Sequence, residues 1–436
     1  MWPNVTKAFE GLDEFPAFQR VQLTFPRPRV LDIPAAVNRA VDELTWLPAK
    51  LKNKRVAITA GSRGISEITT ILASLVAYLR ENEAEPFIVP AMGSHGGGTA
   101  EGQRSMLIEL GMTEKNLGAP ILSSLETVEL GRLPNGMPVY IDKQAAESDA
   151  IVVVNRVKPH TDFVGDIESG LAKMVSIGLG KLRGADILHR YGVQGMQDLM
   201  PETARFICQK APVIFGLATI ENAYHEVAKI AAIPPEGIAG PQEIELLKLA
   251  YQLMPRFPYP EIDVLIVDEM GKNISGVGMD PKIIGRVKVH DVPNLASCSI
   301  RTIVVLRLTP EAHGNASGIG LADITTQRLF QQIDFEATYL NCITSGITGI
   351  QRAFLPVVAP SDKAAIQTAL RVCGRADIQK AKVVRIKNTL SLGEMDISVG
   401  LLQEAASEKI PTTLNRTRFV PAFDADDNLL PFTWAE

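Results

Sequence analysis

Strand-like and helix-like segments alternate along the first two thirds of this chain, and this alternation limits the fold more than any other feature. Residues 55–60 and 87–91 have the length and apolar content of buried strands. Between them, apolar side chains recur at helical spacing from Ile68 to Leu79, behind a predicted cap at Ser66. Such alternation predicts an α/β fold with a mostly parallel sheet and helices on both faces.

The length of the chain predicts two αβ domains. A chain of 436 residues buries more surface than one hydrophobic core usually holds. Residues 254–260 interrupt the helical pattern with three prolines, and residues 271–278 are polar and glycine-rich. We therefore expect an N-terminal cofactor-binding and catalytic domain at 1–270. A C-terminal αβ domain at 271–436 is expected to close an interdomain cleft that holds the active site.

Composition excludes several classes of partner. The 44 basic and 49 acidic residues give a net charge of -5 without long runs of either sign, which disfavours a nucleic-acid or anionic-membrane surface. The four cysteines form no Cys-x-x-Cys pair, so neither a disulfide framework nor a zinc ribbon is expected. No leader-like start and no apolar run of transmembrane length occur. We expect a cytoplasmic protein that binds a small molecule.

Two histidine segments follow predicted strands, where ligands bind in parallel sheets. His95 opens a run of three glycines, and the helix predicted after it begins at Thr99. Backbone N–H groups there can hold a phosphate or carboxylate, although a tight turn with a solvated histidine fits the segment equally well. His160 lies in a loop with two cations and an acid, at 155–162, which is typical of either a site or an exposed charged loop.

A third segment places a lysine in an apolar stretch. Lys173 lies among apolar residues of a predicted helix, and His189 follows sixteen residues later. A lysine in this position usually extends its ammonium to solvent, but a desolvated one can serve as an amine nucleophile or a covalent tether. The other histidines, at 225, 290 and 313, have no neighbours that suggest a role.

Together these segments resemble the nickel-dependent lactate racemase family. Arg63 follows the first strand, as the family's arginine does, and the family's Gly-x-His loop with its threonine is similar to residues 93–99. The Pro-His dipeptide of the family is similar to residues 159–160, and the spacing from Lys173 to His189 is the family's spacing from tether to nickel ligand. The interval from His160 to Lys173 is three residues longer here than the corresponding interval in the family, and no proline follows Arg63. Both differences indicate a divergent branch.

The resemblance implies an isomerase, namely a 2-hydroxy acid racemase or epimerase. It implies a nickel-pincer nucleotide (the nickel complex of pyridinium-3,5-bisthiocarboxylic acid mononucleotide), tethered through Lys173, that takes a hydride from C2 and returns it. Two bases on opposite sides of C2 then handle the hydroxyl proton. Enzymes that make this cofactor are implied as partners. The expected roles are acid/base catalysis by His95 and His160, substrate carboxylate binding by Arg63, nickel binding by His189, and cofactor phosphate binding by Gly96, Gly97, Gly98 and Thr99.

One more candidate substrate contact, Lys272, and two alternative functions follow from the sequence. Lys272 lies in a polar segment after a predicted strand, where it contacts substrate in the cleft or belongs to a solvated hinge. Ser62 with the His95–Gly98 loop imitates the nucleophile and oxyanion hole of a serine hydrolase, although the two occur in the opposite order along the chain. A non-catalytic nucleotide- or ligand-binding protein with the same fold is the remaining alternative. Lactate, malate and longer 2-hydroxy acids share one carboxylate and hydroxyl, so the sequence predicts only the substrate class.

Overall fold

The computed structural model describes residues 6–9, 14–62, 64–290, 292–295, 298–407 and 413–431. The chain divides into two compact units. Here the N-terminal unit is Pro26–Met254, and the C-terminal unit is Pro255–Glu436 together with Met1–Phe25. This division differs from the expected boundary at 270. The strand Glu261–Met270 pairs with a strand at 299–308, and this pairing between distant residues assigns it to the C-terminal unit.

Strands make up two larger sheets and one hairpin. They are β1 (Phe18–Gln22), β2 (Arg55–Ala60), β3 (Glu85–Pro90), β4 (Thr127–Arg132), β5 (Pro138–Asp142), β6 (Ala150–Arg156), β7 (Val213–Glu221), β8 (Val227–Ile233), β9 (Glu261–Met270), β10 (Ser299–Leu308), β11 (Ile324–Thr326), β12 (Val357–Ala359), β13 (Val383–Ile386), β14 (Glu394–Ser398) and β15 (Thr413–Phe419).

The α-helices are α1 (Ile33–Asp42), α2 (Ile68–Glu81), α3 (Ala100–Glu109), α4 (Glu114–Leu117), α5 (Lys143–Ala146), α6 (Leu171–Lys173), α7 (Lys181–Arg190), α8 (Gly192–Gln194), α9 (Met200–Lys210), α10 (Pro241–Leu253), α11 (Pro281–Ile284), α12 (Gln327–Gln332), α13 (Phe335–Thr344), α14 (Ile347–Gln351), α15 (Asp362–Val372) and α16 (Val399–Ser407). Two π-helical segments, Met174–Gly178 and Gly195–Leu199, follow α6 and α8. The 3₁₀ turns are Thr6–Phe9, Pro48–Lys50, Gly96–Gly98, Pro235–Gly237, Pro310–Ala312, Ile319–Leu321 and Ile378–Lys380.

The N-terminal unit contains the expected mostly parallel sheet. Its strand order is β3-β2-β6-β7-β8, in which only β8 runs antiparallel to its neighbour. Val56 and Ile58 of β2 pack in one core cluster with α1 and α2, whereas Ala57 packs in a second cluster with α9 and α10. Because successive strand residues point to opposite faces, both faces are apolar and both are covered by helices. This confirms the predicted fold class.

The C-terminal unit contains a mixed sheet in the order β12-β11-β10-β9-β13-β14-β1-β15. Strands β9 to β13 on the β12 side run parallel, whereas β1, β14 and β15 pair antiparallel. Helix α15 covers one face with Ile366 and Leu370, which pack on Ile266 and Leu306. The apolar pattern of residues 321–333 predicts a helix there, but residues 324–326 form β11 and only Gln327–Gln332 is α-helical. No helix in the described part of the chain is long and apolar enough to cross a bilayer.

Local capping agrees with the sequence at one helix and differs at another. Thr99 accepts a hydrogen bond from the N–H of Gly102 and caps α3, as predicted. The predicted cap of α2 at Ser66 is wrong. Glu67, with φ of 58°, precedes that helix, and the Ser66 N–H donates to the carboxylate of Glu221 instead. Ser66 therefore ties the loop after β2 to the end of β7.

Candidate active site

The candidate catalytic segments follow the carboxyl ends of adjacent parallel strands. Ser62 follows β2, His95 follows β3 and His160 follows β6, and these three strands are neighbours in the sheet. The carboxyl ends of parallel strands meet at one edge, where α/β proteins bind their ligands. Arg63, the expected carboxylate-binding residue, lies outside the described residues.

The His95 ring contacts the residue before Arg63. Its Nδ1 lies 2.5 Å from the Oγ of Ser62. The ring is exposed, and its backbone carbonyl accepts a hydrogen bond from the Gln103 amide at 3.3 Å. The same amide donates to the carbonyl of Gly93 at 3.0 Å. Gln103 is fully buried in α3, so it fixes both ends of the turn that carries His95.

A buried ion pair supports this turn from below. The ammonium of Lys181 lies 3.0 Å from the Asp142 carboxylate, and both side chains are completely buried. Lys181 also donates to the carbonyl of Pro90 at the end of β3 and to the amide oxygen of Gln103. Burial raises the pKa of Asp142 and lowers the pKa of Lys181, whereas the attraction between the two opposes both shifts. The pair therefore holds β3 and α3 together directly beneath the histidine turn.

The glycine run after His95 forms a tight turn. Gly96, Gly97 and Gly98 all have positive φ, between 63° and 67°. A Cβ at Gly96 would lie 2.6 Å from the backbone nitrogen of Gln103, so this position excludes a side chain. The N–H groups of Gly98 and Thr99 donate within the turn, to the carbonyls of His95 and Gly96. Cofactor phosphate binding by this turn stays a prediction. To bind a phosphate, these two N–H groups would have to donate to it as well as to the carbonyls of His95 and Gly96.

His160 is held on both ring nitrogens. The N–H of Asp162 donates to its Nδ1 at 3.1 Å, and the Lys173 amine lies 2.8 Å from its Nε2. Its ring stacks on Phe163 with the ring centroids 4.6 Å apart, and the residue is only 9% exposed. His160 is therefore not a solvated histidine, and its role in a site stays a prediction.

These contacts determine where the protons lie in the neutral pair. Nδ1 of His160 accepts a backbone N–H, so the ring proton of neutral His160 is on Nε2. An Nε2–H bond donates to Lys173, and only an uncharged amine has a lone pair to accept it. In this neutral pair the Lys173 amine is uncharged, which is the nucleophilic form of lysine.

Glu168 positions His160, and the sequence reasoning did not assign it a role. One carboxylate oxygen accepts the backbone N–H of His160 at 2.5 Å, and the other accepts the Tyr251 hydroxyl at 2.7 Å and the Gly165 N–H at 3.2 Å. The residue is 1% exposed. A buried carboxylate is stable when several donors surround it. The signal in the sequence for this role was an acidic residue eight positions after the histidine. Its carboxylate can accept the backbone N–H of the histidine and so close a short loop.

Glu243 holds the short helix that carries Lys173. Its carboxylate accepts the backbone N–H of Ala172 at 3.1 Å and that of Ala239 at 2.8 Å. A Cβ at Gly170 would lie 2.4 Å from this carboxylate, so Gly170 is required for the close approach. Burial raises the pKa of Glu243, and the N–H groups around it oppose that shift. A carboxylate at a helix N-terminus is favoured, and here it fixes α6 directly before Lys173.

His189 lies in the last turn of α7, with its side chain exposed. The surrounding protein displaces water from the ring and lowers the pKa of His189, and the charge of protonated Lys173 lowers it further. The carboxylates of Asp162 and Asp186 oppose that shift. Lys173 and Asp162 are therefore close enough to His189 to act on its charge, which brings His189 and the His160 cluster into one neighbourhood.

The histidine turn and the lysine segment also meet. The N–H of Gly93 donates to the carbonyl of Gly178 at 3.3 Å, and a Cβ at Gly61 would lie 3.0 Å from Met174. The loops after β2 and β3 therefore pack on the residues that follow Lys173. Lys272, by contrast, belongs to the C-terminal unit, where it donates to the amide oxygen of Asn341. Its role as a substrate contact stays a prediction.

The described residues fit the cofactor that the resemblance implies. A nickel-pincer nucleotide needs one lysine amine as tether and one neutral imidazole for the metal. Lys173 is half-buried with its amine held at His160, and His189 is exposed with a lowered pKa. Among the residues that the structure describes, no three His, Cys, Asp or Glu side chains could hold a metal ion by themselves.

Comparison with known proteins finds a family for part of the first unit. Residues 34–196 match the family model described as the lactate racemase N-terminal domain. This part of the chain is similar to that domain. Nine of the ten predicted site residues lie within this range and Lys272 lies outside it; the nine are Arg63, His95, Gly96, Gly97, Gly98, Thr99, His160, Lys173 and His189. The match supports a racemase-like role at the level of the family and a small-molecule substrate.

Two solved structures are similar to most of the chain. The lactate racemase apoprotein from Thermoanaerobacterium thermosaccharolyticum is 15% identical, with a TM-score of 0.48, over 86% of this chain and 99% of its own. A protein from Thermotoga maritima is 15% identical, with a TM-score of 0.50, over 76% of this chain and 84% of its own. The second likeness supports the α/β fold alone. No curated protein sequence matches this chain.

Proposed function

We propose that this protein inverts C2 of a small 2-hydroxy acid, such as lactate or malate, as a racemase or epimerase. The observation that carries the proposal is the contact between the Lys173 amine and Nε2 of His160, 2.8 Å apart, inside the part of the chain that is similar to a lactate racemase N-terminal domain. It places a candidate acid/base group beside a nucleophilic amine. An exposed metal-binding imidazole, His189, lies in the same neighbourhood.

His95 acts as one of the two bases. In its neutral form a proton on Nδ1 donates to the Oγ of Ser62, so the lone pair that accepts the proton of the substrate hydroxyl is on Nε2. When Nε2 takes the hydroxyl proton, the Nδ1–H bond to Ser62 stays unchanged. Ser62 therefore orients the ring and stabilises the protonated form without taking part in the proton transfer.

His160 acts as the second base, on the other face of the substrate. In its resting form the proton is on Nε2, as the contacts of Asp162 and Lys173 require. To accept a proton at Nε2, the ring must first give its Nε2 proton to solvent and take one from solvent at Nδ1. The Asp162 carboxylate, with Oδ2 3.9 Å from Nδ1, is too distant for a hydrogen bond but stabilises the charge of the ring once both nitrogens are protonated.

The remaining residues hold the cofactor and the substrate. Lys173 would tether the nickel-pincer nucleotide, His189 would bind its metal, and the N–H groups of Gly96, Gly97, Gly98 and Thr99 would hold its phosphate. When bound, this group supplies a reversible hydride acceptor, so that C2 is inverted without a carbanion beside a carboxylate. Arg63 binds the substrate carboxylate through its guanidinium, and Lys272 is proposed as a further substrate contact.

Activity of the cofactor-loaded protein tests the two-base scheme. A panel of enantiopure 2-hydroxy acids is incubated with loaded protein, and inversion is followed by optical rotation. We expect His95→Ala and His160→Ala each to lower the rate by about 10²–10⁴-fold. His225→Asn serves as the matched control, because His225 is exposed and asparagine tolerates its φ of 59°. Normal rates in either alanine variant would contradict the scheme.

Peptide mapping tests the tether separately. The intact loaded protein is expected to carry one nucleotide-derived adduct and about one nickel per chain. The adduct is expected on Lys173 and to disappear in Lys173→Arg. Recovery of the adduct on Lys181, which is buried in its pair with Asp142, would overturn the tether assignment and leave the reaction open.

The Ser62–His95 contact also answers the hydrolase alternative. A hydrolase needs a serine–histidine contact, and one is present. However, a nucleophile elbow turns sharply from strand into helix at the serine, whereas α2 begins at Ile68, six residues after Ser62. Ser62 also has no positive φ. We therefore expect a fluorophosphonate probe to leave Ser62 unlabelled, and labelling would favour the hydrolase.

A further inference from the structure

Eight large apolar side chains are exposed within one short stretch of the C-terminal unit. They are between 41% and 69% exposed, and they are Tyr339, Leu340, Ile343, Ile347, Ile350, Phe354, Leu355 and Val357. The stretch comprises α13, α14 and the start of β12. We call this surface the α13–α14 patch.

Helix α13 has the reverse of the usual amphipathic order. Its buried positions are Thr338 and Cys342, whereas its exposed face carries Tyr339, Leu340 and Ile343. A helix on a protein surface normally turns its apolar side chains inward. The exposed face of α13 therefore has the composition of a side that another surface covers.

The segment that forms the patch carries no exposed charged side chain of its own, although Lys272 from the loop after β9 donates to Asn341 of α13. Between residues 337 and 360 the only charged residue is Arg352. This side chain is 1% exposed, and its Nε donates to the carbonyl of Val287 at 2.8 Å. A nucleic acid or an anionic membrane would need exposed lysine or arginine, so neither fits this surface.

The area of the patch matches what a stable dimer needs. With about 200 Å² for each large apolar side chain, these exposed fractions present roughly 900 Å². The largest apolar patch on a monomer is usually about 300–600 Å², whereas a standard interface buries about 800 Å² on each partner. The patch is therefore larger than the usual apolar patch of a monomer and as large as the area that one partner buries in a standard interface.

We infer that two copies of this chain associate through the α13–α14 patch about a two-fold axis. In such a dimer each patch faces its own copy, and an uncharged surface does so without repulsion between like charges. The patch also reaches β12, which lies at one edge of the C-terminal sheet. A second copy would cover this edge, as natural proteins commonly do with edge strands.

Light scattering coupled to size-exclusion chromatography tests the inference on the full-length protein. At micromolar concentration we expect twice the chain mass of 47.3 kDa. Ile343→Lys, at the centre of the patch, is expected to raise the dissociation constant at least about 30-fold and to give the monomer mass. Leu340→Lys is a second patch variant in case the first does not fold.

Val372→Lys is the matched control. Val372 is 58% exposed, close to the 64% of Ile343, and it lies in the same unit at the end of α15. We expect this variant to stay dimeric, and circular dichroism of all three variants to equal that of the wild type. The inference is overturned if the wild type has the monomer mass, if the folded patch variants remain dimeric, or if Val372→Lys dissociates as readily as Ile343→Lys.

Discussion

Replacing Lys181 with methionine removes the charge that compensates Asp142 in the core of the N-terminal unit. Both side chains are completely buried, and the pair is 3.0 Å apart. Breaking a buried pair by removing one partner costs about 3–5 kcal/mol, because the remaining charge stays desolvated. At roughly 2–4 °C per kcal/mol for a unit of this size, the melting temperature should fall by about 6–20 °C at neutral pH.

The cost of this substitution should depend on pH. Burial already raises the pKa of Asp142, and loss of the Lys181 charge removes the attraction that opposes this shift. A carboxyl whose folded-state pKa exceeds its unfolded value favours the folded state while it is protonated. That contribution is lost as the pH rises through the folded-state pKa. The deficit of Lys181→Met should therefore be small in acid and grow as the pH rises.

Thermal and urea unfolding between acidic and neutral pH measure this deficit. The double variant Asp142→Asn with Lys181→Met should recover most of the lost stability, because asparagine still caps α5 through the N–H of Ala145. Lys248→Met is the matched control, since Lys248 pairs with Glu245 on the surface and should cost less than about 1 kcal/mol. A deficit below about 1 kcal/mol, or one independent of pH, would refute the reasoning.

Three further outcomes follow from the site and its surroundings. Ser62→Ala should lower kcat/KM of the loaded enzyme about 3- to 10-fold with KM nearly unchanged, because one hydrogen bond to His95 is lost; an unchanged kcat would remove Ser62 from the site. Glu168→Ala should cost about 2–4 kcal/mol in urea unfolding, since it leaves buried donors unpaired, and a cost near zero would contradict its burial. Hydrogen bonding from Arg27 lowers the pKa of Glu226 to about 2, so carbon NMR titration should find its carboxylate ionised well below pH 4. Arg27→Leu should raise that pKa, and an ordinary glutamate titration in the wild type would exclude the pairing.

The tethering lysine illustrates where sequence reasoning ended. Spacing alone favoured a surface lysine at position 173, and only the family resemblance gave it a role. The contact with His160 depends on a loop closed by Glu168 and on a helix start held by Glu243, which lies seventy-one residues further along the chain. No local pattern in the sequence predicts contacts over such a distance. The same holds for the support of His95 by the pair of Asp142 and Lys181.

The sequence by itself determined the elements and the class of fold. The α10 and α15 ranges agree with the apolar periodicity, and the run of short apolar strands and helices determined the parallel sheet. These features depend on neighbours along the chain, where spacing and capping act directly. Tertiary structure alone decided the division into units, because β1 and β9 join a sheet through partners far away in sequence. It also decided which ring nitrogen carries the proton of neutral His160 and which side chains of α13 are exposed, since each depends on which groups the folded chain brings together.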